Sequence, residues 1–128
     1  MKYLSLVAIT FLLASCTSRS ENGISGKWMM YKVVQSGQDV TEQHDPHNER
    51  YISFNADSTF KSGGRPFGEN TGKYSFNTDN KQLFLDSDAG ENDDSYWNVT
   101  FKGDTMHWQG FGSDWAEDFE IIQVRANE

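Results

Sequence analysis

Two histidines stand close together among carboxylates in one short stretch of the sequence. His44 and His47 are flanked by Glu42 and Glu49. Imidazole and carboxylate groups are acceptable ligands for zinc and similar ions. Pro46 stands between the histidines and breaks any helix that would align them, so their spacing does not specify a metal site. We expect a solvated loop here, with metal binding as the less favoured alternative.

A second group of oxygen ligands lies in an acidic stretch further along the chain. Its carboxylates are the ligand type that calcium prefers. However, the order of residues departs from the EF-hand loop, which needs another acidic or Asn ligand before its Gly and a Glu well after it. Charged runs of this kind are most often solvated. We predict no metal site, with calcium as the alternative, among Asp86, Asp88, Glu91, Asp93 and Asp94.

Residue types that carry covalent or phosphoryl chemistry do not form a recognisable motif. The sequence has no nucleophile elbow, no Gly-rich phosphate loop and no His-x-x-His pair on a helix. The glycines at 63 and 64 precede Arg65-Pro66, which is turn chemistry. The sequence therefore predicts a protein that is not an enzyme and carries no cofactor.

The charge of the chain excludes one class of partner. The formal net charge is −8 at neutral pH. An acidic protein repels phosphate backbones and anionic lipid surfaces. We expect no nucleic-acid partner.

Alternation of apolar and polar residues dominates the rest of the chain. It recurs in about eight short runs bounded by Gly, Asn and Asp, which is typical of half-buried antiparallel strands. Each run has one bulky apolar face, so the runs are expected to share a core. The predicted strands cover residues 27–35, 50–55, 59–62, 73–77, 82–86, 95–102, 105–109 and 118–125.

The connections between these runs alternate in length. Tight turns are predicted at 55–58, 77–81 and 103–104, and longer loops at 36–49, 63–72, 87–94 and 110–117. In an up-and-down meander, alternate connections fall at the same end. The sequence therefore predicts an all-β, antiparallel up-and-down barrel of about eight strands, with a floor of tight turns and a mouth of long loops.

The first and last strands carry a motif pair found at such floors. Gly26-Lys27-Trp28 resembles the Gly-x-Trp of lipocalins, and Arg125 resembles their C-terminal arginine. Residues 51–60 and 71–76 are also similar to the small lipocalin-like domains of bacterial lipoproteins. The resemblance implies that the arginine stacks on the tryptophan to close the barrel. It further implies a lipocalin-like domain over residues 23–128 that binds a small, mostly apolar molecule.

The inward residues of the mouth half are the candidate ligand site. An apolar pocket with few polar groups is typical of small-ligand sites, and Lys32 would offer its charge to a ligand carboxylate. The alternative is that these side chains simply fill the barrel. The predicted ligand-binding residues are Lys32, Val34, Ile52, Tyr74, Leu85, Trp97, Trp108 and Phe119.

Large aromatic residues in the predicted mouth loops suggest a second function. Phe67, Phe111 and Trp115 fall in these loops, where an exposed aromatic side chain usually has a partner or covers a cavity. The alternative function is an interaction or scaffold protein whose filled barrel contacts another envelope protein through its mouth loops.

The N-terminus has the layout of a secretory signal. Lys2 precedes an apolar stretch over residues 4–13, and Leu13-Ala14-Ser15-Cys16 resembles the lipobox of bacterial lipoproteins. We expect a signal peptide at 1–15, lipidation of Cys16 and a tether to residue 22. The protein would then contact the membrane only through its lipid anchor. Because Thr17 is not Asp, the resemblance favours the outer membrane of a bacterial cell envelope.

Overall fold

The computed structural model describes residues 23–127. The predicted signal peptide, Cys16 and the tether to residue 22 lie outside these residues. No helix in the described part of the chain is long and apolar enough to cross a membrane. The strands are β1 (Gly26–Gln35), β2 (Gln38–Asp39), β3 (Tyr51–Phe54), β4 (Thr59–Gly63), β5 (Asn70–Asn77), β6 (Gln82–Ser87), β7 (Ser95–Lys102), β8 (Thr105–Phe111) and β9 (Phe119–Arg125), with helix α1 at Thr41–His44 and a 3-10 turn at Glu91–Asp93.

The strands form a closed antiparallel barrel. Each strand from β3 to β8 pairs with the next one along the chain, β1 pairs with β3, and β1 also pairs with β9 to close the ring. The short β2 folds back on the end of β1 and lies outside the ring of eight. The predicted all-β up-and-down barrel is therefore confirmed. The unpredicted elements are β2 and α1, both within the stretch predicted as a loop at 36–49.

The two ends of the barrel differ as the connection lengths predicted. Tight turns at 55–58, 78–81 and 103–104 close the floor, and the longer connections at 36–50, 64–69, 88–94 and 112–118 surround the mouth. Each tight turn has a residue at positive φ: Ser58 at 68°, Lys81 at 58° and Gly103 at 58°. This conformation lets a short turn follow the right-handed twist of its strands.

The β1 strand contains a bulge that changes which side chains face inward. Met30 pairs with Gln123 and Lys32 with Ile122, so Tyr31 is an extra residue and lies 65% exposed. A bulge shifts the alternation by one residue. Val33 is consequently buried, whereas Lys32 and Val34 alternate with it on the outer face. The predicted inward placement of Lys32 and Val34 is wrong, because simple alternation does not anticipate a bulge.

The floor is closed by the predicted contact between the two ends of the domain. The Arg125 guanidinium lies 4.1 Å from the centre of the fully buried Trp28 ring. Its Nη1 donates to the Ser25 carbonyl at 2.9 Å, and its Nη2 donates to the Gly23 carbonyl at 2.7 Å. Gly26 has φ 106°, and a Cβ there would lie 3.2 Å from Arg125 Nη1. Glycine thus permits both the backbone turn and the close approach.

We predict that Arg125→Met lowers the free energy of unfolding by about 2 kcal/mol, because it removes a cation–π contact and two charge-assisted hydrogen bonds. Chemical denaturation monitored by circular dichroism measures this loss. Lys102→Met, an exposed substitution beside the 103–104 turn at the same end, is the control. Equal unfolding midpoints for the two variants would contradict the role of Arg125 in closing the floor.

Candidate functional site

A cavity of about 200 Å³ lies in the mouth half of the barrel. Its wall combines inward side chains of the strands with residues of the mouth loops. Val33, on the inward side of the β1 bulge, lines the cavity in place of Lys32 and Val34, which were predicted to line it. The predicted ligand-binding residues that line the cavity are Ile52, Leu85, Trp97, Trp108 and Phe119.

Aromatic rings form much of this wall. The Trp97 ring lies 5.3 Å from Trp108 and 6.1 Å from Trp115, and the Trp115 ring lies 6.2 Å from Phe119. These separations and the tilted or edge-on angles are favourable for aromatic pairs. The Trp97 indole donates to Ser95 Oγ at 2.8 Å, so its polar atom is satisfied within the wall. The indole rings thus form a closely packed aromatic part of the wall.

Tyr74 lies elsewhere than predicted. Its ring packs edge-on against Phe54 with 4.8 Å between centroids, and its hydroxyl donates to the Asn55 carbonyl at 2.9 Å. Asn55 belongs to a floor turn, so Tyr74 packs toward the floor and does not line the mouth cavity. The alternation placed Tyr74 on the inner face but did not give its height in the barrel.

Two residues that line the cavity each have a buried polar atom without a hydrogen-bond partner among the described residues. These atoms are the indole nitrogen Nε1 of Trp108 and the amide oxygen Oε1 of Gln123, and both residues are 3% exposed. The Nε1 atoms of Trp28 and Trp97, by contrast, donate to Ile24 O and Ser95 Oγ. An unsatisfied buried polar group costs stability and needs an explanation, such as a water or a ligand.

A single arginine, Arg50, stands on the same wall, immediately before β3. Its Nη1 contacts the His44 carbonyl at 3.2 Å and Met30 Sδ at 3.8 Å. The guanidinium carbon lies 4.5 Å from the centre of the Phe67 ring. Burial lowers the pKa of Arg50, and the nearby Asp45 charge opposes that shift without cancelling it. Arg50 shares the inward parity of Ile52 and Phe54 and falls within the predicted strand at 50–55, so the alternation already placed it on the inner face, although it was not among the predicted ligand-binding residues.

Polar side chains on the wall near the 3-10 turn are satisfied by one another. Asp93 Oδ2 accepts hydrogen bonds from Ser87 Oγ at 2.6 Å and from Asn70 Nδ2 at 3.0 Å. The Asp94 side chain accepts the Ser87 backbone N–H at 2.8 Å. Part of the predicted acidic stretch thus caps its own loop. Among residues 23–127, no group of three or more His, Cys, Asp or Glu side chains could hold a metal ion.

Comparison with known families identifies this architecture. The family model described as a lipocalin-like domain matches residues 24–108. The chain belongs to the lipocalin-like domain family. A lipocalin-like barrel of this kind supports a binding role in general and not a catalytic one.

A solved structure has a similar fold. The chain is similar to a DUF4847 family protein from Bacteroides vulgatus, with a TM-score of 0.58 and 12% sequence identity. The similarity covers 82% of this chain and 95% of that protein. At this identity the likeness concerns the fold alone. Comparison with curated proteins gave no match.

The three aromatic residues that were predicted to lie in the mouth loops of the lipocalin-like barrel have different environments. Phe67 is 49% exposed and Trp115 is 43% exposed, although Trp115 also lines the cavity. Phe111 ends β8 and packs against Tyr96, with 5.8 Å between ring centroids, so it does not belong to a mouth loop. Two of the three residues therefore present aromatic surface around the entrance.

His44 belongs to the aromatic rim of the lipocalin-like barrel. Its ring lies 5.7 Å from Phe67 and 5.4 Å from Phe119. Burial lowers the pKa of His44, and the positive charge of Arg50 lowers it further. Since the folded state then binds the proton less readily than the unfolded state, protonation of His44 destabilises the fold.

We predict that stability falls as the pH is lowered from about 6.5, the ordinary histidine pKa, toward the depressed value. The loss should be smaller in His44→Gln than in the wild type. Thermal unfolding at pH 7.5 and pH 5.5 measures the difference within each variant. His47→Gln, which changes an exposed histidine of the same loop, is the control and should behave as the wild type does. Identical pH dependence in all three proteins would contradict this prediction.

Proposed function

We propose that this protein binds a small amphipathic molecule in the mouth cavity of its barrel, without chemistry. The observation that carries the proposal is the cavity of about 200 Å³, whose wall sets the aromatic rings of Trp97, Trp108 and Phe119 beside polar side chains such as those of Arg50 and Gln123. A few polar groups in an apolar pocket are typical of small-ligand sites. A ligand hydroxyl can hydrogen-bond to the side-chain amide of Gln123, a residue of the cavity wall.

The size of the cavity limits what enters it. A volume of about 200 Å³ holds roughly seven molecules of water at about 30 Å³ each. It is smaller than the pockets of about 300–1,000 Å³ that enclose drug-sized ligands. The buried part of the ligand is therefore small, and any longer apolar portion extends through the mouth.

Straight-chain alcohols are suitable probes of this proposal. We predict that hexan-1-ol binds the purified protein with a saturable change in tryptophan fluorescence, because Trp97 and Trp108 line the cavity. Gln123→Leu should weaken this binding about threefold to tenfold, the effect of one hydrogen bond. The same variant should raise the unfolding temperature of the empty protein, because it removes an unpartnered buried amide.

Gln109→Leu is the matched control for that experiment. Gln109 lies on the outer side of β8, and its Nε2 contacts the carbonyls of Gly110, Glu117 and Phe119 at 3.4, 3.3 and 3.2 Å. Its loss should lower the unfolding temperature and leave alcohol binding unchanged. If hexan-1-ol gives no saturable signal, or both variants weaken it equally, the cavity is not the ligand site.

A second candidate function is docking to another envelope protein through the mouth loops. The observation in its favour is the exposure of Phe67 and Trp115 at the entrance. Phe67 does not line the cavity, whereas Trp115 does. Phe67→Ser should therefore abolish capture of a protein partner and leave the response to hexan-1-ol intact, if docking is the function.

We further propose that the protein is a lipoprotein of the bacterial envelope, anchored through Cys16 in the outer membrane. Support comes from the lipobox-like Leu13-Ala14-Ser15-Cys16 after an apolar stretch. We predict that Cys16→Ala prevents acylation, so that the protein leaves the membrane fraction. Immunoblots of fractionated cells measure this, with Thr17→Ala as the control. A Cys16→Ala protein that stays in the membrane fraction at wild-type mass would refute the lipid anchor.

A further inference from the structure

Arg50 has no carboxylate partner in the part of the chain that the structure describes, in contrast to the cations of the barrel that form ion pairs. The lysine and arginine ion pairs within residues 23–127 join Lys61 to Glu69 and Arg65 to Glu49. Neither of them includes Arg50, although Arg50 is the more buried of the two mouth arginines. A buried charge is normally paired, since removing it from water is costly.

One edge of the Arg50 guanidinium is free of hydrogen bonds to the described residues. The contacts to the His44 carbonyl and Met30 Sδ both use Nη1. Nε and Nη2 hydrogen-bond to no residue between 23 and 127. Two parallel N–H groups on one edge of a guanidinium match the two oxygens of a carboxylate.

The Arg50 backbone and its guanidinium are both held by contacts within the protein. Asp45 Oδ1 accepts the backbone N–H groups of Glu49 and Arg50 at 2.8 and 3.2 Å, and the Arg50 carbonyl accepts the Met30 N–H at 3.0 Å. The ring of Phe67 covers one side of the guanidinium. A preorganised donor loses little entropy when a ligand binds.

The other charged or titratable groups at the cavity do not replace a ligand anion. Asp45 is the opposite charge that acts on Arg50, but its Oδ1 is committed to backbone N–H groups. Asp93 Oδ2 already accepts two hydrogen bonds from Asn70 and Ser87. His44 has a lowered pKa because of burial, so its side chain is neutral at pH 7 and adds no charge.

We infer that Arg50 is the head-group site of the cavity and selects an amphipathic ligand that carries a carboxylate. The carboxylate lies on the free guanidinium edge beneath Phe67, and the apolar body of the ligand lies against the tryptophan wall. This inference rests on the proposed binding function and adds the charge of the ligand to it. Arg50 thus takes the cationic role predicted for Lys32. The β1 bulge places the Lys32 side chain on the outer face of the barrel.

Three probes of equal chain length separate the charge of the ligand from its apolar body. Hexanoate and hexanamide have the same shape but differ in charge at pH 7.4, and hexan-1-ol is the neutral probe of the cavity itself. Tryptophan fluorescence and protein NMR shifts measure the affinity of each for the purified protein. We expect hexanoate to bind the wild type at least about tenfold more tightly than hexanamide, as charge-assisted hydrogen bonds require.

The variants test whether Arg50 causes this preference. Arg50→Met keeps an unbranched side chain but removes the guanidinium, and it should abolish the preference for hexanoate. Arg50→Lys keeps the charge but not the paired donors and should retain only part of the preference. Arg65→Met is the matched control, because Arg65 is an exposed mouth arginine outside the cavity wall. It should leave the preference unchanged.

The unfolding temperature provides a second measurement, because the loss of a purely structural residue would change it differently. Because the Arg50 charge is partly buried without an ion-pair partner, Arg50→Met should unfold within a few degrees of the wild type or above it. A large drop in unfolding temperature would indicate that Arg50 is a structural residue and would overturn the inference.

The outcomes for the ligand and for Arg50 are distinguishable. Equal affinities for hexanoate and hexanamide, or a preference that survives Arg50→Met, would overturn the role of Arg50 while binding of hexan-1-ol still supports the proposed function. Failure of all three probes to bind would overturn the inference and the proposed function together. Binding of hexanoate that is lost in Arg50→Met and kept in Arg65→Met supports both.

Discussion

The pairing of β1 with β9 is the constraint on which the rest of the barrel depends. It joins the first and last strands of the domain, from Trp28 opposite Arg125 to Gln35 opposite Phe119. Without it, two long strands would each expose an unpaired edge, which is a site for aggregation. The register of this pair also brings Arg125 onto Trp28, and the backbone carbonyls of Gly23 and Ser25 then satisfy the guanidinium. The strand pairing that closes the barrel therefore also forms the contact of Arg125 with Trp28 at the floor.

The same pair determines the chemistry of the mouth. The bulge at Tyr31 lets Met30 and Val33 both face inward, so β1 offers an apolar surface to the cavity where regular alternation would have inserted Lys32. A lysine there would be flexible and strongly hydrated. The inward cation is instead Arg50, which backbone hydrogen bonds and Phe67 hold in place. The barrel therefore separates into a tightly packed floor and a mouth that retains unpartnered polar atoms.

Much of this arrangement follows from local patterns in the sequence. Alternation and turn residues predicted the strands and the two ends, since both depend on period-two geometry and on short loops, whereas the contact of Trp28 with Arg125 was implied by the resemblance to lipocalins. Lys32 and Val34 were misplaced because a bulge is set by the pairing of β1 with β9, which the β1 sequence does not reveal. Gln123 continues the inward parity of Phe119 and Ile121, so its position was predictable; its lack of a partner depends on which side chains reach it from other strands.

The acidic character of the chain bears on the selection of an anionic ligand. A net charge of −8 repels anions at long range, but at physiological salt the Debye length is about 8 Å, so exposed carboxylates on the outer surface are largely screened. Arg50 acts at contact distance within a partly buried site, where screening is weaker and charge-assisted hydrogen bonds are stronger. The surface charge therefore slows the approach of an anion without cancelling its attraction to the guanidinium. Affinity at this mouth depends on the few groups that line it, and among them Arg50 carries the positive charge and donor groups that the described residues leave unpaired.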